Sequence, residues 1–147
     1  MCTIDIATLS DLAALMEIEQ ASHFHPWKPS IMERYLKQGT VVAMRCDGIL
    51  TGFAIVTVVA GDAELLNIAV APAARGMGYA KQLMAAVEEK ASSQQAERIF
   101  LEVRASNVAA IGLYEQHGYC QTGVRPRYYP APEGREDAWL YCQELTL

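Results

Sequence analysis

The sequence predicts an α/β fold: a mixed, mostly antiparallel sheet flanked by helices, in the order β-α-α-β-β-β-α-β-α-β-β. Three observations predict it. Two β-rich runs, Thr40–Cys46 and Ile49–Ala60, meet at Asp47-Gly48, a dipeptide that favours a two-residue hairpin turn. Leu12, Leu15, Met16 and Ile18, and later Leu83, Met84 and Val87, recur at helical spacing. Strand-like and helix-like stretches then interleave along the second half of the chain, which places helices against a sheet in one unit.

The elements follow in order. Cys2–Ile6 alternates and reads as a short strand. Ser10-Asp11 supplies helix-cap chemistry for the first helix. Pro26 and Pro29 punctuate the stretch after it, and a second short helix runs from about Ser30 to about Gly39. The hairpin follows, then a turn at Gly61-Asp62 and a strand over Ala63–Val70 that Pro72 closes. A glycine-bearing loop, Arg75-Gly76-Met77-Gly78, opens a helix that reaches about Ala91. Arg98–Val103 is a strand. Ser106 or Asn107 caps a helix to His117, with Gly118 as its natural end and a cation favoured at His117. Strands near Tyr119–Arg125 and Glu136–Leu145 complete the order, with a surface hairpin loop between them.

Composition narrows the function classes. A chain of 147 residues fits one domain, here residues 1–147. With 52% hydrophobic and 20% charged residues it can bury a core and is not a disordered chain. A net charge of −5 argues against general nucleic-acid binding and suits a basic partner. No apolar run approaches the ~20 residues that span a bilayer, and Met1–Asp5 lacks the layout of a signal peptide, so a cytoplasmic protein with no membrane partner is expected. Cys2, Cys46, Cys120 and Cys142 form no CxxC pair and sit at no zinc-ligand spacing; they read as small buried hydrophobes. No metal site is expected, because His23, His25 and His117 share no ligand spacing with acids.

The loop before the third helix carries chemistry. Two glycines let a backbone approach a ligand closely, and a helix N-terminus favours an anion. Ala71–Lys81 holds Arg75 and Lys81 and no acid. An ordinary strand-to-helix turn would also use glycine here. The loop is neither a P-loop nor a dinucleotide fingerprint.

It does match R/Q-x-x-G-x-G/A, with Arg75, Gly78 and Ala80 at the defining positions. That pattern resembles the acetyl-CoA-binding loop of the GNAT superfamily of N-acetyltransferases, and the element order is similar to that family's. The resemblance extends through Leu101-Glu102-Val103-Arg104-Ala105-Ser106-Asn107, Leu113-Tyr114-Glu115, Gly118-Tyr119, Tyr128-Tyr129-Pro130 and Gly134–Ala138, with Ile18-Glu19-Gln20 and Pro26-Trp27 earlier. This series is similar to the branch that acetylates N-terminal alanines of bacterial ribosomal proteins. His25, Lys28 and Arg127 depart from the branch pattern, in loops expected near the peptide.

The resemblance implies a GNAT fold and acetyl-CoA as cosubstrate. Ile68, Ala69 and Val70, the loop Arg75, Gly76, Met77, Gly78, Tyr79, Ala80 and Lys81, and Asn107 would bind it. It implies a basic protein N-terminus as partner, that of a small-subunit ribosomal protein, lined by Trp27, Tyr128 and Tyr129. From the residues alone, Asn107 is equally a helix cap, Tyr128 and Tyr129 equally part of a surface loop. The acids Glu136 and Asp137, with Glu33 or Glu19, offer a field that attracts a basic peptide.

Acetyl transfer to nitrogen needs a neutral amine. An α-amine has a pKa near 7.8 and a lysine near 10.4, a gap of roughly 3.5 kcal/mol of deprotonation. A carboxylate acting through water therefore suffices for a chain end. Glu102 shares a strand face with Phe100 and Arg104, and periodicity alone favours a solvent-facing carboxylate or a partner for Arg104. Tyr114 lies two helical turns past Asn107, and helical spacing alone favours a core tyrosine. The resemblance makes Glu102 the general base and Tyr114 the general acid. A relay through an acetylated Cys120 is the competing mechanism, and no adjacent His or Lys activates that thiol. The rival functions are a lysine or small-amine acetyltransferase and a non-catalytic acetyl-CoA-binding module.

Overall fold

The computed structural model describes residues 1–145; the sequence-based span of 1–147 includes two residues outside the described ones. Its strands are β1 (Cys2–Ile6), β2 (Val41–Cys46), β3 (Ile49–Val59), β4 (Asp62–Val70), β5 (Arg98–Arg104), β6 (Cys120–Ala131) and β7 (Gly134–Glu144). Its helices are α1 (Leu12–Ser22), α2 (Pro29–Lys37), α3 (Tyr79–Ser93) and α4 (Val108–Gln116). The order is the one the sequence predicts, with short 3-10 turns added at Leu9–Asp11 and Pro72–Ala74.

The strands form a seven-stranded sheet in the order β1-β2-β3-β4-β5-β7-β6, in which only β4 and β5 run parallel. Asp47 and Gly48 take the positive φ values of 52° and 80° that a tight hairpin turn requires. Strand β2 is buried on both faces, so it reads as an unbroken apolar run. Val41 and Ala43 meet Leu15, Met32 and Leu36 of α1 and α2. Val42 and Met44 meet Leu83, Met84 and Val87 of α3. Each such fully buried aliphatic side chain contributes roughly 1.5–3 kcal/mol.

Strand β4 contains the irregularity that shapes the molecule. Ile55 pairs with Asn67 and Val56 with Leu65, so Leu66 is an extra residue without a partner on β3. The bulge reverses the alternation. Ala63 and Leu65 belong to the α3 side, and so do Ile68 and Val70, whereas Leu66 and Ala69 belong to the α1 side. The β4–β5 ladder ends at the same place, with Leu65 opposite Leu101. Beyond it Asn67–Val70 and Glu102–Arg104 pair with each other nowhere, and the two strands part.

Two expectations are corrected. The cysteines are not buried hydrophobes. Cys2 and Cys46 are directly opposite across β1 and β2 and form a disulfide, and Cys120 is exposed at the start of β6. Residue spacing in the sequence cannot reveal this cross-strand pairing, because it depends on register. The segment before the last strand is not a loop either: β6 continues to Ala131 and β7 begins at Gly134. The ladder skips between Arg125 and Tyr129, which hides the strand from a period-2 reading.

Candidate active site

The parting of β4 and β5 leaves a cavity of about 170 Å³ in the sheet. Asn67 and Ile68 form one wall, Glu102 and Arg104 the other. Tyr114 of α4 and Tyr129 of β6 also line it, as do Glu19, His23 and Trp27. A groove of about 590 Å³ runs from it between Ile68–Val70, the Arg75–Lys81 loop and the first turns of α4. His23, Ile68, Asn107 and Ala110 line both, so the two spaces are continuous.

The loop has the construction of an anion cradle. Gly76 and Gly78 both adopt φ of 81°, and a Cβ at either would meet nothing within 4 Å. Glycine is therefore needed for the backbone path and not for packing. From Gly76 to Lys81 the N–H groups find no acceptor among the described residues, and α3 starts at Tyr79 with Gly78 as its cap. Arg75 closes the mouth, donating from Nε to the Val70 carbonyl and from a terminal nitrogen to Ser22 Oγ, both at 3.0 Å. Gly76, Gly78, Tyr79, Ala80 and Lys81 line the groove; the Met77 side chain is exposed outside it. Asn107 caps α4, its Oδ1 accepting from Ala110 N at 3.2 Å, while also lining both spaces. The open N–H groups, the basic pair Arg75 and Lys81, and the unpaired edge of Asn67–Val70 fit a long anionic ligand with amide groups.

Glu102 projects into the cavity from β5, with Arg125 3.7 Å from its Oε1. Arg104 is held elsewhere: it donates to Glu136 at 3.0 Å and to the Pro130 carbonyl at 2.6 Å, and lies 4.5 Å over the Tyr129 ring. Burial opposes the charge on Glu136, but the hydrogen bonds from Ser106 and Arg104 outweigh it and lower its pKa. Tyr114 is almost fully buried, packs on Tyr119, and its hydroxyl has no hydrogen-bond partner among the described residues. Burial, and then the nearby Tyr129, push its pKa up, so it keeps its proton. Tyr129 is pushed up to about 12 by burial and by the charge of Glu102.

The double tyrosine divides its work. Tyr129 faces the cavity; Tyr128 stands edge-on behind it, ring centroids 5.1 Å apart, under the Arg125 guanidinium. The residues 134–137 make this possible. Arg135 donates to the carbonyls of Arg127 and Tyr128 at 2.8 and 2.7 Å, and Asp137 accepts from Arg127 N at 3.0 Å.

The acids expected to attract a basic peptide are held mostly within the fold. Glu136 and Asp137 are engaged within the hairpin, Glu33 pairs with Lys37 at 3.2 Å, and Glu19 is fully buried. The sequence placed Glu19 only among acids that draw in a peptide, and not buried in the cavity wall. Its carboxylate accepts from Trp27 N and Asn67 Nδ2, both at 2.9 Å, and His23 Nε2 lies 2.9 Å from Asn67 Oδ1. The available signal was its place on the apolar stripe Leu15-Ile18-Glu19 of α1. Cys120 lines neither space. Among the described residues no group of three or more His, Cys, Asp or Glu could hold a metal ion.

A family model described as the acetyltransferase (GNAT) family matches residues 12–119. The chain is 38% identical over 152 residues, covering 100% of both chains, to the [ribosomal protein bS18]-alanine N-acetyltransferase of Salmonella typhimurium. The same identity and coverage hold for the enzyme of that name from Escherichia coli. The crystal structure of the ribosomal-protein-S18-alanine N-acetyltransferase from Escherichia coli matches with a TM-score of 0.90 at 36% identity, covering 100% of this chain and 96% of that one.

Proposed function

The chain belongs to the GNAT acetyltransferase family, and on that premise we propose that it transfers acetyl from acetyl-CoA to the N-terminal α-amine of a protein, the alanine that begins ribosomal protein bS18. The observation that carries this reading is that Glu102 and Tyr114 line one cavity that opens into the cradle-bearing groove. The bound cosubstrate supplies an activated acetyl thioester. The N–H groups of Gly76–Lys81, with Arg75 and Lys81, hold its phosphates, and the free edge of Asn67–Val70 holds its amide-bearing arm.

Glu102 accepts the proton of the incoming ammonium, directly or through one water. An α-amine near pKa 7.8 asks little of such a base. Tyr114 keeps its proton at neutral pH and donates it toward the departing sulfur, in a site where burial strengthens each hydrogen bond. Transfer is direct, in a ternary complex. Trp27, packed on Tyr35 with ring centroids 5.5 Å apart, and Tyr129 flank the entry and admit a chain end with a small first side chain. No described helix is long and apolar enough to cross a membrane. A ribosomal-protein substrate places the reaction in the cytoplasm.

The test is a mass-spectrometric transfer assay with acetyl-CoA and an Ala-starting basic peptide, beside the same peptide with its α-amine blocked. Acetylation of the first alone is expected. Comparable kcat/KM for the lysines of the blocked peptide overturns the substrate class.

A further inference from the structure

Below the point where β4 and β5 part, none of the described helices packs on the sheet face that carries Glu102. The α1–α2 core reaches β3 at Phe53 and Ile55 and β4 at Leu66 and Ala69. Farther along, Thr57, Glu64 and Phe100 lie side by side across three strands, and Val59 and Phe100 are exposed. The face is concave and encloses about 710 Å³. Glu102 lines both this hollow and the 170 Å³ cavity, so the hollow continues the catalytic site.

Its charge leans acidic. Asp62, Glu64 and Glu102 face Arg125 in the hollow, and Arg98 shares the strand face of Phe100 and Glu102. Arg125 lies beside Glu102, and Asp62 is 3.9 Å from Arg98. Glu64 is exposed and has no ion-pair partner among the described residues. Strand spacing sets Glu64 about 8 Å from Glu102, two residues along and one strand over. An extended peptide covers about 7 Å in two residues. A chain whose amine sits at Glu102 therefore brings its third residue to Glu64.

We propose that this open face seats the substrate chain beyond its second residue and selects Lys or Arg at the third to fifth positions. The cationic ends lie against Glu64 and Asp62, and their apolar stems lie over Phe100 and Val59. This rests on the acetyl-transfer reading above. A protein that binds RNA carries such cations for the phosphates, which makes its chain end complementary to this face.

The test compares wild type, Glu64→Gln and Glu64→Lys on three Ala-starting peptides. One carries Lys or Arg at positions three to five, one carries Ser and Gly there, and one ends after residue two. Glu64→Lys is expected to raise KM for the basic peptide by about five-fold or more, with kcat kept. Glu64→Gln does so more weakly, the effect fades at high salt, and the other two peptides are unaffected. An equal effect on all three peptides, or none on any, overturns the proposal. So does a wild-type dimer that Phe100→Glu dissolves, since a second copy then covers the face. A wild type that acetylates none of the peptides overturns the acetyl-transfer reading itself, and this extension with it.

Discussion

Asn67 Nδ2 donates to Glu19 Oε1 at 2.9 Å, and this bond ties the end of α1 to β4 one residue beyond the bulge at Leu66. Both residues are buried, and both line the cavity that Glu102 and Tyr114 share. Asn67→Ala removes one of the donors that hold a buried carboxylate. A loss of about 1–3 kcal/mol in stability is expected, read by urea unfolding. Glu19→Gln, which keeps the shape and removes the charge, is expected to recover part of that loss.

Tyr114→Phe keeps the ring on Tyr119 and removes the hydroxyl. The expected outcome is a fall in kcat of about 10²–10⁴ with an unchanged melting temperature. Glu102→Gln is expected to fall by a similar factor, and its turnover to climb with pH as hydroxide deprotonates the amine. Near-normal turnover of Tyr114→Phe removes the general-acid role.

Gly78→Glu places a carboxylate in the cradle at a backbone angle that side chains resist. CoA binding is expected to disappear in calorimetry while the circular dichroism of the fold persists. Gly78→Ala isolates the backbone effect from the charge, and is expected to bind CoA more weakly than wild type but measurably.

Arg45 donates twice to Asp11, at 3.0 and 2.8 Å, pinning the first turn before α1 to β2. The hydrogen bond from Arg45 holds the Asp11 carboxyl below its ordinary pKa. A depressed carboxyl stabilises the fold above its unfolded pKa and loses that contribution as pH falls. Arg45→Met is therefore expected to cost about 1.5–3 kcal/mol at pH 7, with the gap to wild type closing below about pH 4. Urea midpoints at pH 7 and pH 3 check this.

Local chemistry made much of the fold legible. Asp47-Gly48, the cap at Asn107 and the end at Gly118 each fix their turn through a few adjacent residues. The cradle was legible for the same reason, since Gly76, Gly78, Arg75 and Lys81 lie within one loop. What stayed hidden depends on partners far along the chain. The length of β6 depends on Arg135 and Asp137 holding Arg127 and Tyr128 across a break in alternation. The Cys2–Cys46 bond depends on strand register. Glu19 looks like a surface acid until Asn67 and the Trp27 backbone are folded against it.

The extra residue in β4 is also the place where that strand can be shortened without being turned over. Leu65 lies opposite Val56 toward α3, Asn67 opposite Ile55 toward α1, and Ile68 opposite Ala54 toward α3 again. Deleting Leu66 therefore leaves Asn67–Val70 with the same partners and the same faces. What it removes is one apolar side chain from the α1 layer and the bend that a bulge puts into a strand. The parting of β4 from β5 is then at stake, and not the set of side chains that borders the groove.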